Sequence, residues 1–246
     1  LSPAKLNLFL YVGKRRADGY HELRTLFDLI DFGDTLSFKP IPEDARKPGE
    51  DLGLLNLTGA FDCEQADNLI TKAACVLMPL ARRAHALEVT VKKRIPTGAG
   101  LGGGSSNAAL TLKALNLLWD CGQSDAQLLK LALQLGSDVP LFIGGRPALG
   151  AGRGEKLTFV SLPPRSYLVG VPESCHISTR ELFQDPLLPR SLPAQEGEAL
   201  CALPPYNAFS AAVCARYPEV AGLLETLREL CGNALLTGTG SACFAR

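Results

Sequence analysis

The chain lacks much of what several protein classes require. No apolar run approaches the roughly 20 residues that span a bilayer, and no charged-then-apolar segment opens the chain, so neither a membrane span nor a leader is expected. Net charge is absent too, because 25 Lys plus Arg balance 25 Asp plus Glu. Without a basic field, capture of a nucleic-acid backbone or an anionic membrane drops out as the main activity. Only three histidines occur, HExxH is missing, and Cys and His do not cluster at ligand spacing, which argues against structural zinc. No Cys-x-x-Cys pair occurs among the eight scattered cysteines (63, 75, 121, 175, 201, 214, 231, 243). They read as buried thiols of a reducing compartment, hence a cytoplasmic protein.

What is present can build a core. The 246 residues are 46% hydrophobic, enough for one large domain or two modest ones and too apolar for a disordered chain. Leu6, Leu8, Leu10 and Val12 alternate with Asn7, Phe9 and Tyr11, the period of a strand. A turn-like stretch ends in Asp18-Gly19, and a second apolar run covers Leu23 to Phe32. Pro40 to Gly53 reads as a loop. Asp67 reads as the cap of a helix over Asn68 to Arg83 that Pro79 kinks or shortens. Leu87 to Lys92 alternates as a strand. Ser124 to Gln127 fits a capping box for a helix that Gly136 ends. Strands at Leu157 to Val160 and Tyr167 to Val171, helices at Ala208 to Arg216 and Val220 to Leu230, and a strand–glycine turn–strand over Ala234 to Ala245 follow.

Between the strand ending at Lys92 and a helical run to Trp119 lies Pro96-Thr-Gly-Ala-Gly-Leu-Gly-Gly-Gly104, then Ser105 and Ser106. Closely spaced glycines let backbone N–H groups approach an anion and adopt positive φ, and the helix start adds unpaired donors. This is a phosphate cradle. A flexible linker is the bland alternative, disfavoured because linkers rarely sit between a clear strand and a clear helix. The pattern GxxxxGK[ST] is absent. Gly98-x-Gly100-x-x-Gly103 does match the dinucleotide fingerprint GxGxxG, which makes a dinucleotide-binding oxidoreductase the rival. That rival needs a second parallel strand ending in an acid, and Asp120, near the right spacing, lies between two helical segments instead.

Together, Ser2-Pro-Ala-Lys-Leu-Asn-Leu8, Pro96 to Ala109 and Leu236-Thr-Gly-Thr-Gly-Ser-Ala-Cys-Phe-Ala245 resemble, in order, the three motifs of the GHMP kinases. Asp18-Gly-Tyr-His21, Asp67-Asn-Leu-Ile70, Leu135-Gly-Ser-Asp-Val-Pro140 and Phe183-Gln-Asp-Pro186 resemble the branch acting on a cytidine diphosphate-linked methylerythritol in the non-mevalonate isoprenoid pathway. The resemblance implies an α+β fold of two domains, a ribosomal protein S5 domain 2-like one at 1–156 that binds ATP and a ferredoxin-like one at 157–246 on the substrate side. It implies transfer of a phosphoryl group from ATP, with Mg²⁺, to the substrate's 2-hydroxyl. Kinases for homoserine, mevalonate or a sugar remain the alternative within the family.

The same resemblance implies roles. Asp138 becomes the general base and Lys5 its partner on the developing charge. By position alone Asp138 reads as a helix cap and Lys5 as a snorkelling surface lysine. Asn7, on the same strand face as Lys5, reads as a substrate contact or a structural amide. Tyr20 and His21 hold the cytosine, Phe183 closes over the base, and Thr179 reaches the diphosphate or polyol. Gln184 stands where the branch has a lysine. Asn68, Leu69 and Ile70 border the adenine with Lys93 nearby. Pro96, Thr97, Gly98, Ala99, Gly100, Leu101, Gly102, Gly103, Gly104, Ser105 and Ser106 hold the phosphates, and one of the two serines is a candidate contact for the metal, whose ligands stay unassigned. Thr237, Gly238, Thr239 and Gly240 form a turn facing the substrate. Expected partners are the two small molecules, with no nucleic acid or membrane and a monomer or weak homodimer. Because the family pattern continues beyond the third motif, the chain is expected to be trimmed at its C-terminus.

Overall fold

The computed structural model describes residues 1–42, 55–173 and 175–246. The predicted loop at Pro40 to Gly53 falls, from residue 43 on, outside the described residues. The architecture is mixed α+β and divides into two compact units, one of 1–4, 31–97 and 102–145, the other of 5–30, 98–101 and 146–246. Strands β1 (Ser2–Arg15) and β2 (His21–Pro40) contribute residues to both.

In the first unit, residues Thr35–Pro40 of β2 pair antiparallel with β4 (Leu87–Lys92), and β4 pairs parallel with β3 (Leu55–Gly59). Val89 and Val91 are buried while Thr90 and Lys92 are exposed, the one-sided alternation that the sequence predicts. Helix α1 (Leu69–Leu77) is capped by Asn68, whose side chain accepts from the Ile70 N–H at 3.0 Å. Asp67 therefore does not cap it, and instead pairs with Lys72 at 3.0 Å. Nor does the helix reach Arg83. It passes into a 3₁₀ turn at Met78–Leu80, because Pro79 has no N–H to continue the ladder.

Helix α2 (Gly103–Leu118) packs on α1, and the two helices bury the small side chains Ala73, Ala74, Ala108 and Ala109. Trp119, fully buried at its end, donates from Nε1 to the His85 carbonyl at 3.0 Å. Helix α3 (Asp125–Leu135) follows with no intervening strand, opened by the Ser124/Gln127 capping box and closed at Gly136. Helix α4 (Val139–Gly144) packs against α2 and α3 and buries Val139, Leu141 and Phe142.

In the second unit β1 is buried on both faces, with Lys5, Leu6, Asn7, Phe9 and Leu10 all 5% exposed or less. Strand β5 (Ala148–Gly152) pairs with residues Leu23–Phe27 of β2 and forms a hairpin with β6 (Lys156–Phe159). Its glycines show in the sequence only as a change of texture. A Cβ at Gly150 would stand 2.7 Å from the Phe27 ring, so the packing that needs β5 excludes the residues that would announce it. Strand β8 (Tyr206–Asn207) pairs parallel with β1. A second sheet orders β7 (Leu168–Gly170), β10 (Cys243–Ala245) and β9 (Leu235–Leu236), all antiparallel.

Short helix α5 (Thr179–Leu182) and helices α6 (Ser210–Arg216) and α7 (Pro218–Cys231) complete this unit. Their core joins Leu182, Phe209, Val213, Val220 and Leu224 to Leu236 and Cys243. All eight cysteines are free, but Cys63 and Cys75 are exposed and only Cys121 and Cys243 are fully buried. The expectation of eight buried thiols is thereby corrected: the two exposed ones lie outside the apolar faces. Among the described residues no helix is long and apolar enough to cross a membrane.

Candidate functional site

In the second unit the first and third sequence motifs meet. Lys5 donates its backbone N–H to the Leu101 carbonyl at 3.0 Å, and Ala242 donates to Ala99 at the same distance. Gly98 and Gly100 have φ of +70° and +80°, and Gly102, the N-cap of α2 in the first unit, has +74°. Left-handed glycines thus alternate with residues that anchor the loop, Ala99 and Leu101, each 2% exposed. Alternation of this kind turns successive N–H groups toward one concavity, the geometry that receives a phosphate.

A Cβ on Gly100 would lie 2.6 Å from the Thr237 carbonyl oxygen, so only glycine admits this approach of the two turns. Asn207 holds the closing turn by donating its amide to the carbonyls of Leu236 and Gly238, each at 2.8 Å. Lys5, 4% exposed, reaches the same turn: a Cβ on Gly238 would be 3.3 Å from its Nζ. The Lys5 ammonium donates to Asn7 Oδ1 and lies 5.7 Å from the centre of the Phe27 ring. Asn7 itself is 3% exposed, and Thr237, fully buried, accepts from the Asn7 N–H at 2.9 Å.

The first unit holds the remaining nucleotide-side residues. Gly103 and Gly104 open α2, the first with a Cβ direction 3.4 Å from Lys93 Nζ and the second 3.6 Å from Leu69 Cδ1. Ser105 is half-exposed, whereas Ser106 is buried and accepts from the Ser2 hydroxyl at 2.7 Å. Asn68 caps α1 and Ile70 is core, which leaves Leu69 as the part-exposed member of that trio. Pro96 and Thr97 are exposed beside the loop. Asp138 is half-buried at the N-cap of α4 and makes no side-chain cap bond, so the capping alternative does not account for it.

Lys93 has a partner that the sequence reading missed. Its ammonium donates to Asp34, which is fully buried and also accepts from the N–H groups of Arg94 (2.7 Å) and Ile95 (2.8 Å) and from the Asn107 amide (2.9 Å). Burial by itself would raise the Asp34 pKa. The Arg94 N–H, the Lys93 ammonium, the Ile95 N–H and the Asn107 amide outweigh it and hold the carboxyl below its ordinary value. The available signal was an acid in β2 just past its apolar run, between Phe32 and Leu36.

The residues expected around a base are also placed in the second unit. The rings of His21 and Phe183 stack directly on each other, 5.3 Å between centroids and 19° apart, which leaves no space for a third aromatic plane between them. His21 Nδ1 lies 2.9 Å from the Gly13 carbonyl, and Phe183 sets its ring against the Phe209 ring at 5.1 Å and 88°. Tyr20 stands apart, 53% exposed under the Arg153 guanidinium. Thr179 and Thr239 share a hydrogen bond of 2.9 Å. His176, absent from the sequence reading, lies with Nδ1 3.4 Å from where a Gly98 Cβ would be.

Residues 68–146 match the family model described as GHMP kinases N terminal domain. The 4-diphosphocytidyl-2-C-methyl-D-erythritol kinase of Acinetobacter baylyi is 45% identical over 99% of this chain and 85% of its own length. That of Shewanella putrefaciens is 44% identical over 99% of this chain and 82% of its own. The chain belongs to the GHMP kinases. GHMP kinases use ATP as the phosphate donor. A solved 4-(cytidine 5'-diphospho)-2C-methyl-D-erythritol kinase superposes with a TM-score of 0.82 at 35% identity, covering 99% of this chain and 88% of that one. The mevalonate kinase of Methanococcus jannaschii, at a TM-score of 0.65 and 16% identity, shares the GHMP fold. The dinucleotide rival falls on topology: α3 follows α2 directly, with Asp120 in the turn between them at φ +50°.

Proposed function

We propose that the chain phosphorylates the 2-hydroxyl of 4-diphosphocytidyl-2-C-methyl-D-erythritol with ATP, a step in non-mevalonate isoprenoid precursor biosynthesis. The observation that carries this is 44–45% identity across nearly the whole chain with kinases of that name. The left-handed glycine loop at the start of α2 and the buried Lys5 supply the chemistry that such a transfer needs.

In this reading the loop N–H groups and the first turn of α2 bind the nucleotide phosphates. Asp138 takes the proton of the attacking hydroxyl. Lys5 stabilises the charge that develops on the oxygens around the transferred phosphoryl group. Ser105, with its part-exposed hydroxyl, is the protein group that would contact a nucleotide-borne Mg²⁺, which would offset phosphate charge. Lys93, held by Asp34, borders the same helix start. Residues 1–156 carry the nucleotide and 157–246 the acceptor alcohol, joined on the acceptor side by Asn7, Tyr20 and His21. His21 and Phe183 receive the cytosine after their stacked rings part.

An ATP-consumption assay with a panel of alcohols tests the assignment. Turnover confined to the cytidine diphosphate-linked methylerythritol is expected. Turnover with homoserine, mevalonate or a sugar, and none with the cytidine compound, would overturn it.

A further inference from the structure

The orientation of the Asn7 amide is dictated from both ends. Thr25, 1% exposed on β2, has a single hydroxyl proton and donates it to the Phe9 carbonyl at 2.7 Å. A carbonyl oxygen only accepts, so the Thr25 oxygen has lone pairs alone left for Asn7. The Asn7 Nδ2 group, 2.8 Å away, must be the donor. That turns Oδ1 toward the Lys5 ammonium, which only donates, and toward the Thr237 hydroxyl at 3.4 Å. An amide can otherwise sit either way round at nearly the same shape.

We propose that Thr25 is a positioning residue for catalysis, which holds Lys5 in place through the amide of Asn7. This rests on the reading of Lys5 as the group acting on the transferred phosphoryl. Asn7 thereby serves as a structural arm of Lys5: its Oδ1 accepts from the ammonium and one Nδ2 proton goes to Thr25. Without the Thr25 oxygen, the buried amide gains by turning over to seek another partner. It then turns N–H groups toward the ammonium, donor against donor, and Lys5 is displaced.

The test compares Thr25→Ser with Thr25→Ala, which differ only in the hydroxyl, under saturating ATP and acceptor. Thr25→Ser should stay near wild-type. Thr25→Ala should lose kcat by roughly tenfold to a hundredfold, the cost of one buried donor left unpaired. Its KM for ATP should stay within about twofold, since ground-state binding is untouched. Equal kcat for the two variants, or a loss carried by KM with kcat intact, would overturn the proposal. Lys5→Met measured in parallel separates the two claims. If it retains kcat, the role given to Lys5 fails. If it is inactive while Ser and Ala match, only the role of Thr25 fails.

Discussion

His21 and Phe183 stack ring on ring, 5.3 Å between centroids, so the pair expected to flank a base fills that space with itself. Binding a cytosine there exchanges one stacking contact for another. His21→Ala should raise the KM for the cytidine substrate roughly tenfold, within the range for one base–aromatic stack, and lower kcat less. Steady-state kinetics with the acceptor varied will show it. An unchanged KM would remove the ring from the recognition of the base.

Asp138→Asn should reduce kcat by about 10² to 10⁴, the range for loss of a positioned base. ATP affinity, measured calorimetrically without the acceptor, should not change. Since no side-chain cap bond ties Asp138 to α4, a loss of turnover cannot be assigned to a lost cap. Brisk turnover by the variant would give the proton to another group.

The Asp34 hub makes a prediction about acid. Its folded pKa lies below the ordinary value, so its stabilisation is complete above about pH 3.9 and disappears as the pH falls through the lower folded value. Asp34→Asn should cost about 3 kcal/mol at neutral pH, the low end for breaking a buried pair because Lys93 keeps some contact with water. Thermal melts should show the gap between wild type and variant narrowing only under strongly acid conditions. A gap constant from pH 7 to about pH 3 would contradict the assignment.

Two glycines separate conformational strain from steric exclusion. Both are left-handed, Gly100 at φ +80° and Gly145 at +65°. Nothing lies within 4 Å of a Cβ at Gly145, whereas one at Gly100 meets the Thr237 carbonyl at 2.6 Å. Gly145→Ala should cost about 1–2 kcal/mol, the strain alone. Gly100→Ala should cost more and should also weaken ATP binding, because the loop must leave the closing turn. Equal melting temperatures for the two variants would mean that the approach of the turns contributes nothing.

Local chemistry carried the sequence reading. The glycine loop, the Ser124/Gln127 capping box, the stop at Gly136 and the alternation of β4 follow from neighbours within one turn or one pleat, and all appear where expected. The Asn68 cap was misplaced by one residue, because Asp and Asn are nearly equal as caps and only the observed bond separates them. Strands β5 and β8 escaped detection, one rich in glycine and the other two residues long.

By itself the sequence determined where the backbone can bend left-handed, where helices begin and stop, and which motif residues share a strand face. Only the tertiary structure decided what Lys5 and Lys93 hold. Asp34 meets Lys93 across 59 positions and Asn107 across 73, while Asn7 meets Thr25 across 18 and Thr237 across 230. Buried polar groups must find partners because water cannot reach them. Which partner each finds depends on strand pairing and helix packing far along the chain, and no local pattern encodes that choice.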